Sequence, residues 1–212
     1  FKRLGVDSIS IISIISLFIG AIIAIQMAYN IDSPFIAKSI IGFSTRQMLV
    51  LEISPTIICL ILAGKVGSRI ASEIGTMRIT EQIDALRVMG VNPPNYLILP
   101  KIVAAMIYFP ILIIFSIFLG ILGGWIMGSI TGLIPSADYI IGIRSWFDPF
   151  TLTYAMIKTV VFAFIITSVS AYKGYTVKGG SVEVGQASTE AIVVSSILII
   201  FSDLILTQLL LT

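Results

Sequence analysis

Histidine is missing from all 212 residues. Its absence removes Ser-His-Asp triads, His-containing metalloprotease motifs and imidazole proton relays. Cysteine occurs once, as Cys59 inside an apolar run, so no disulfide can form within the chain. Charge is scarce: only 11% of residues are Asp, Glu, Lys or Arg, where a soluble domain has about 25%. No G-x-x-x-x-G-K-[ST] run occurs, so the chain carries no P-loop, and any ATP that drives it must bind another subunit. The net charge of +2 comes without a clustered basic patch, which argues against a nucleic-acid partner. A lipid hydrolase or transferase is disfavoured as well, because paired catalytic carboxylates are lacking.

Apolar sequence is what the chain has in quantity. Hydrophobic residues make up 57% of it and the mean hydropathy is +1.07, as in integral membrane proteins. The apolar runs are too long and too many for a signal peptide. Phe1 rather than Met stands first, so a further segment is expected upstream. An all-α fold with five transmembrane helices is predicted, in one transmembrane domain over residues 1–212. The spans fall at about 8–31, 46–64, 97–124, 149–172 and 187–211. Between Lys101 and Asp138 lie 36 uncharged residues, longer than one span and short of two. Gly128 to Pro135 therefore reads as a loop or re-entrant turn.

Basic residues set the expected orientation. Lys2, Arg3, Lys65, Arg69, Arg78, Arg87, Lys101, Lys173 and Lys178 fall on one side, and Lys38, Arg46 and Arg144 on the other. The richer side is expected to be cytoplasmic, with the N-terminus inside and the C-terminus outside.

Residues 71–90 on that side form an amphipathic, charged segment between two apolar runs. Thr80 is read as the cap of a short helix ending at Gly90, with Asn92-Pro93-Pro94 beyond it. From Thr80 to Met89 such a helix measures about 15 Å, too short to span a bilayer. Ile79, Ile83 and Leu86 share one face, and Arg78, Glu81, Asp84 and Arg87 supply charge around it. A short helix of this kind is a handle for a soluble partner.

Three ionisable residues interrupt spans: Glu52, Lys158 and Asp203. Counted from the outer span ends, all three lie roughly 9–14 Å deep. Charges in hydrocarbon usually face a bundle interior, a partner charge or a water-filled cavity. Three readings stay open: a buried Glu–Lys or Asp–Lys pair, a polar ring around a cavity that meets a lipid headgroup, or a cation or proton site. The last would make the chain an ion-coupled secondary transporter or a channel. Gly120, Gly124, Gly128 and Gly132 recur every four residues and suit close helix packing. Pro110 is expected to kink span three. The glycine-rich stretch Lys173–Glu190 reads as a turn between spans, able to pack beside the charged segment.

The longest motif is Glu73-Ile-Gly-Thr-Met-Arg-x-Thr-Glu-Gln-Ile-Asp-Ala-Leu, followed by Asn92-Pro-x-x-Tyr-Leu-x-x-Pro100-Lys. With Phe18-Ile-Gly and Gln26, Leu51-Glu52-x-x-Pro55, Ala63-Gly-Lys-Val-Gly67, Lys158-x-Val-Val-Phe-Ala163, Gly174-Tyr and Gly185-x-Ala-x-Thr189, it resembles the MlaE-type permease family nearly end to end. Members are membrane subunits of ABC systems that move phospholipids between bacterial membranes, with relatives in plastids. The resemblance implies a homodimeric, multi-pass, non-catalytic permease of the bacterial inner membrane. It implies an ABC ATPase partner, which binds the ATP and Mg, and a periplasmic partner with an MCE domain. It implies a coupling helix docked on the ATPase, for which Glu73, Thr76, Met77, Arg78, Glu81, Gln82, Asp84, Leu86 and Arg87 are the candidates. By position, Glu52 and Lys158 match charged residues that family members place near the lipid cavity; Asp203, Gln26 and Tyr29 are further candidates for that cavity. No cofactor or metal is expected on this chain. One departure is visible: Leu51 stands where many relatives carry Arg.

Overall fold

The computed structural model describes residues 7–31 and 37–211. Among them there are helices and no strands: α1 (Asp7–Asn30), α2 (Ser39–Ile79), α3 (Gln82–Val88), α4 (Pro94–Thr131), α5 (Ser136–Arg144), α6 (Pro149–Tyr175) and α7 (Ser181–Leu211). Five of them, α1, α2, α4, α6 and α7, are long and apolar enough to cross a membrane. The chain is an all-α membrane protein.

Helix boundaries differ from the charge-free runs where charge is accommodated inside a helix. Span two was expected over 46–64, yet α2 runs from Ser39 to Ile79, past Arg46, Lys65 and Arg69. Arg46 does not mark a boundary because backbone carbonyls and aromatic rings surround its guanidinium. Within α2, residues Leu49–Ile57 are wound as a π-helix around Pro55. Proline has no N–H and its ring crowds the carbonyl four residues back, and the wider winding relieves both problems. A second π-helical stretch covers Ala63–Gly67.

The region 128–135 holds less loop than expected. α4 continues to Thr131, passing through Pro110, and Gly132 stops it at a left-handed φ of 67°. α5 then occupies nine residues, about 13 Å, so it is not a further span. The stretch 173–190 is mostly helix too: α6 ends at Tyr175, and α7 starts at Ser181 with the Glu183 carboxylate accepting the Gly180 N–H at 2.8 Å.

The described residues divide into two compact units, one of residues 59–110 and 158–211, the other of 7–58 and 111–157. In the second unit, α1 and α4 touch through backbone: a Cβ added at Gly20 would collide with the carbonyl of Gly120. Ser16 donates to Ser116 across the same contact at 2.8 Å. α5 crosses α2 equally closely, since a Cβ at Gly142 would strike the Ser39 carbonyl. Ala24, Ile41, Ile134 and Tyr139 form the apolar centre there.

In the first unit, α2 packs against α6 and α7. Ile79 lies on a cluster of Val177, Val184 and Ala187. The buried stripe of α7 is Val184, Ala187, Ala191, Ser195, Ile199 and Asp203, spaced three or four residues apart along one face. The remainder of α7 is open: Ile197, Phe201, Leu204 and Leu209 are all more than 60% exposed.

Candidate functional site

Lys158 and Asp203 meet inside the first unit. Lys158 is fully buried on α6, Asp203 is nearly so on α7, and Nζ lies 2.5 Å from Oδ1. Both positions lie on buried stripes of their helices, so the 3.6-residue period of each brings them face to face. An isolated charge would be costly at this position, and the pair offsets that cost. Three buried hydroxyls, Thr45, Ser170 and Ser195, have no hydrogen-bond partner among the described residues. Two of these, Ser170 and Ser195, belong to this same unit.

Gln26, Tyr29 and Glu52 belong to the other unit, and each is exposed there. Glu52 accepts a hydrogen bond from Thr56 one turn on, at 3.3 Å. Tyr29 borders a cavity of about 300 Å³ whose walls include Ile25, Ala28, Ile41 and Leu133, with Lys38 on its lining. Sequence reading singled out Tyr29 and passed over Lys38, which lies outside every motif.

The charged segment folds as a corner between α2 and α3. Thr80 does not cap α3 as expected. Because α2 extends to Ile79, the Thr80 hydroxyl donates back to the Thr76 carbonyl at 2.8 Å. Glu81, at a left-handed φ of 58°, makes the corner, and its side chain forms no cap. Gly90 does end α3: the Gly90 and Val91 N–H groups donate to the Arg87 and Leu86 carbonyls, both at 3.0 Å. That pairing is the Schellman motif. Ile83 is fully buried and fixes the inner face.

Ion pairs lock the corner in place. Arg78 holds Asp84 at 2.9 Å, and Arg87 lies 3.6 Å from the same carboxylate. Arg87 also donates to the Tyr175 hydroxyl at 2.5 Å, tying α3 to the end of α6. Glu73 pairs with Lys101 at 2.8 Å, and Lys173 with Glu190 at 2.9 Å. The expected docking residues therefore separate. Glu73, Thr76, Glu81, Gln82 and Arg87 are exposed, whereas Met77, Arg78, Asp84 and Leu86 are half-buried. Val88 and Met89, at 89% and 67% exposure, are the apolar tip of the corner. Their signal in the sequence was placement just before Gly90, off the Ile79–Ile83–Leu86 face.

The family of permease MlaE matches residues 1–209. The chain belongs to the MlaE permease family. A probable ABC transporter permease protein of Rickettsia prowazekii is 37% identical over 206 residues, covering 97% of this chain and 79% of the relative. The intermembrane phospholipid transport system permease protein MlaE of Haemophilus influenzae is 33% identical over 207 residues, covering 96% and 78%. The chloroplastic protein TRIGALACTOSYLDIACYLGLYCEROL 1 of Arabidopsis thaliana is 33% identical over 214 residues, covering 98% and 59%. This MlaE-family chain is a permease subunit and a multi-pass membrane protein.

Proposed function

We propose that this permease is the membrane subunit of an ABC transporter that moves phospholipid between the inner membrane and a periplasmic MCE-domain partner, contributing to outer-membrane lipid homeostasis. In this reading a separate subunit binds ATP and Mg and hydrolyses ATP, and the α2–α3 corner is where that subunit docks. The permease is a homodimer, with the N-terminus cytoplasmic and the C-terminus periplasmic. The open apolar face of α7 suits a second copy as well as lipid. Phospholipid is carried on the side of the membrane that holds Gln26, Tyr29 and Glu52, and the cavity beside Tyr29 and Lys38 offers an apolar wall with one cation for a phosphate.

The observation that carries the reading is the corner itself: an ion-paired turn between two helices with a bare apolar tip, in a chain without a nucleotide-binding motif. Glu81 and Val88 are exposed and outside its ion pairs, so Glu81→Lys with Val88→Asp alters the docking surface without dismantling the Arg78–Asp84–Arg87 lock. That double variant is expected to lose the ATPase on co-purification while the permease stays folded in detergent. Retention of stoichiometric ATPase would sink the docking assignment. Mass spectrometry of lipid released from the native complex tests the cargo separately, and a complex devoid of phospholipid would sink that part.

A further inference from the structure

Arg46 is the least expected side chain in the molecule. It sits on α2 with only 4% of its surface exposed, and among the described residues it forms no ion pair. Its guanidinium instead serves the turn between α5 and α6. It donates to the carbonyls of Ile143, Ser145 (3.0 Å) and Trp146 (3.1 Å), and lies over the rings of Phe43 and Phe147. A buried arginine uses its whole fork here to hold one turn of backbone.

The turn that it holds is strained. Trp146 has a φ of 48°, a left-handed conformation in which a bulky residue is an outlier. Such strain persists where the surroundings over-determine it, and it concentrates at functional positions. Its effect is to turn Trp146 outward, at 86% exposure, beside Phe147 at 58%. Phe43 packs edge-on against Trp146 with ring centroids 5.9 Å apart. Between them opens a cavity of about 260 Å³ walled by Ile40, Phe43 and Trp146, with Ser39 and Ser145 also on its lining.

The spanning helix α6 begins at Pro149, immediately after this turn, with Asp148 accepting the Phe150 N–H at 2.9 Å. The exposed aromatic pair thus runs directly into the first turn of a helix long and apolar enough to span, and the end of such a helix lies where hydrocarbon meets water. Tryptophan favours that layer because its ring is apolar while its N–H stays wet. We propose that the α5–α6 turn is a lipid-contact element: Arg46 locks it, Trp146 and Phe147 seat in the glycerol layer, and the cavity beside Trp146 takes the upper part of an acyl chain. Arg46 is its positioning residue. The proposal stands on the membrane-spanning fold and does not depend on the transported cargo.

The chain has one other tryptophan, Trp125, so the Trp125→Phe variant reports on Trp146 alone. It is to be reconstituted into phosphatidylcholine vesicles brominated either near the top or near the end of the acyl chain. Shallow bromines are expected to quench at least twice as strongly as deep ones, with weak quenching by aqueous acrylamide. Strong acrylamide quenching without lipid quenching would overturn the proposal and assign the surface to water or a protein partner. Stronger quenching by the deep bromines would overturn it too. In the same background, Arg46→Lys keeps the charge but replaces the planar fork, which reaches the carbonyls from two nitrogens and lies over two rings, with a single nitrogen, and shallow quenching should fall by half or more. Unchanged quenching in that variant would remove Arg46 from the proposal. Should that variant fail to fold, the single-tryptophan depth measurement still decides the lipid contact.

Discussion

At the scale of single residues, the Lys158–Asp203 pair is held more by complementarity than by net energy. Removing one partner takes the opposite charge away from a buried ion, at a cost of about 3–5 kcal/mol, whereas replacing both with apolar groups of similar size is often neutral. Lys158→Met is therefore expected to lower the thermal midpoint in detergent markedly, and Lys158→Met with Asp203→Leu to recover most of that loss. Lipid transport then separates the roles. Transport regained along with stability marks a structural pair, while a stable but inactive double variant marks a functional one. A single Lys158→Met variant as stable as the parent would contradict the burial and the 2.5 Å contact. The sequence showed three charges at similar depth, and depth alone could not choose between Glu52 and Asp203 as the partner of Lys158. The choice depends on the azimuth of each helix, which becomes readable only once the buried stripe of α7 is known.

At the scale of elements, the five long helices were legible, and so were those of their ends that coincide with the ends of apolar runs. Long apolar runs announce spans because nothing else crosses hydrocarbon. On α2 the ends differ from expectation where charged residues are accommodated inside the helix, Arg46 towards one end and Lys65 and Arg69 towards the other. The glycine ladder was legible as packing, but its members differ. Gly124 meets the Tyr139 hydroxyl, Gly128 faces Ile134, and Gly132 ends α4. Burial holds the Tyr139 phenol above its ordinary pKa, so it stays neutral there. A Cβ at position 124 would overlap that hydroxyl, so Gly124→Ala is expected to destabilise by about 1–3 kcal/mol through overpacking. Tyr139→Phe removes the offending oxygen and should restore part of the loss, giving a measurable coupling in a double-mutant cycle of detergent unfolding. Strictly additive effects would mean that the two side chains do not meet.

For the whole molecule, the proposed mechanism rests on which end of the spans faces the cytoplasm. Counting along the sequence, nine basic residues are expected on the side of the α2–α3 corner and three on the side of α5, and short loops rich in Lys and Arg stay inside. The corner and α5 are therefore expected on opposite sides of the membrane. The single native cysteine is buried, so substituted cysteines can report position against a quiet background. Gln82 on α3 and Asp138 on α5 are both exposed. Gln82→Cys should resist a membrane-impermeant maleimide in intact spheroplasts and react once the membrane is permeabilised. Asp138→Cys should react at once in both. The reverse pattern would place the α2–α3 corner outside, beyond the reach of any cytoplasmic ATPase, and the docking proposal would fail with it. Reaction of both in intact spheroplasts would mean that α4, the one long apolar helix between them, does not carry the chain across the membrane. The labelling thus tests the topology that the function requires without depending on transport.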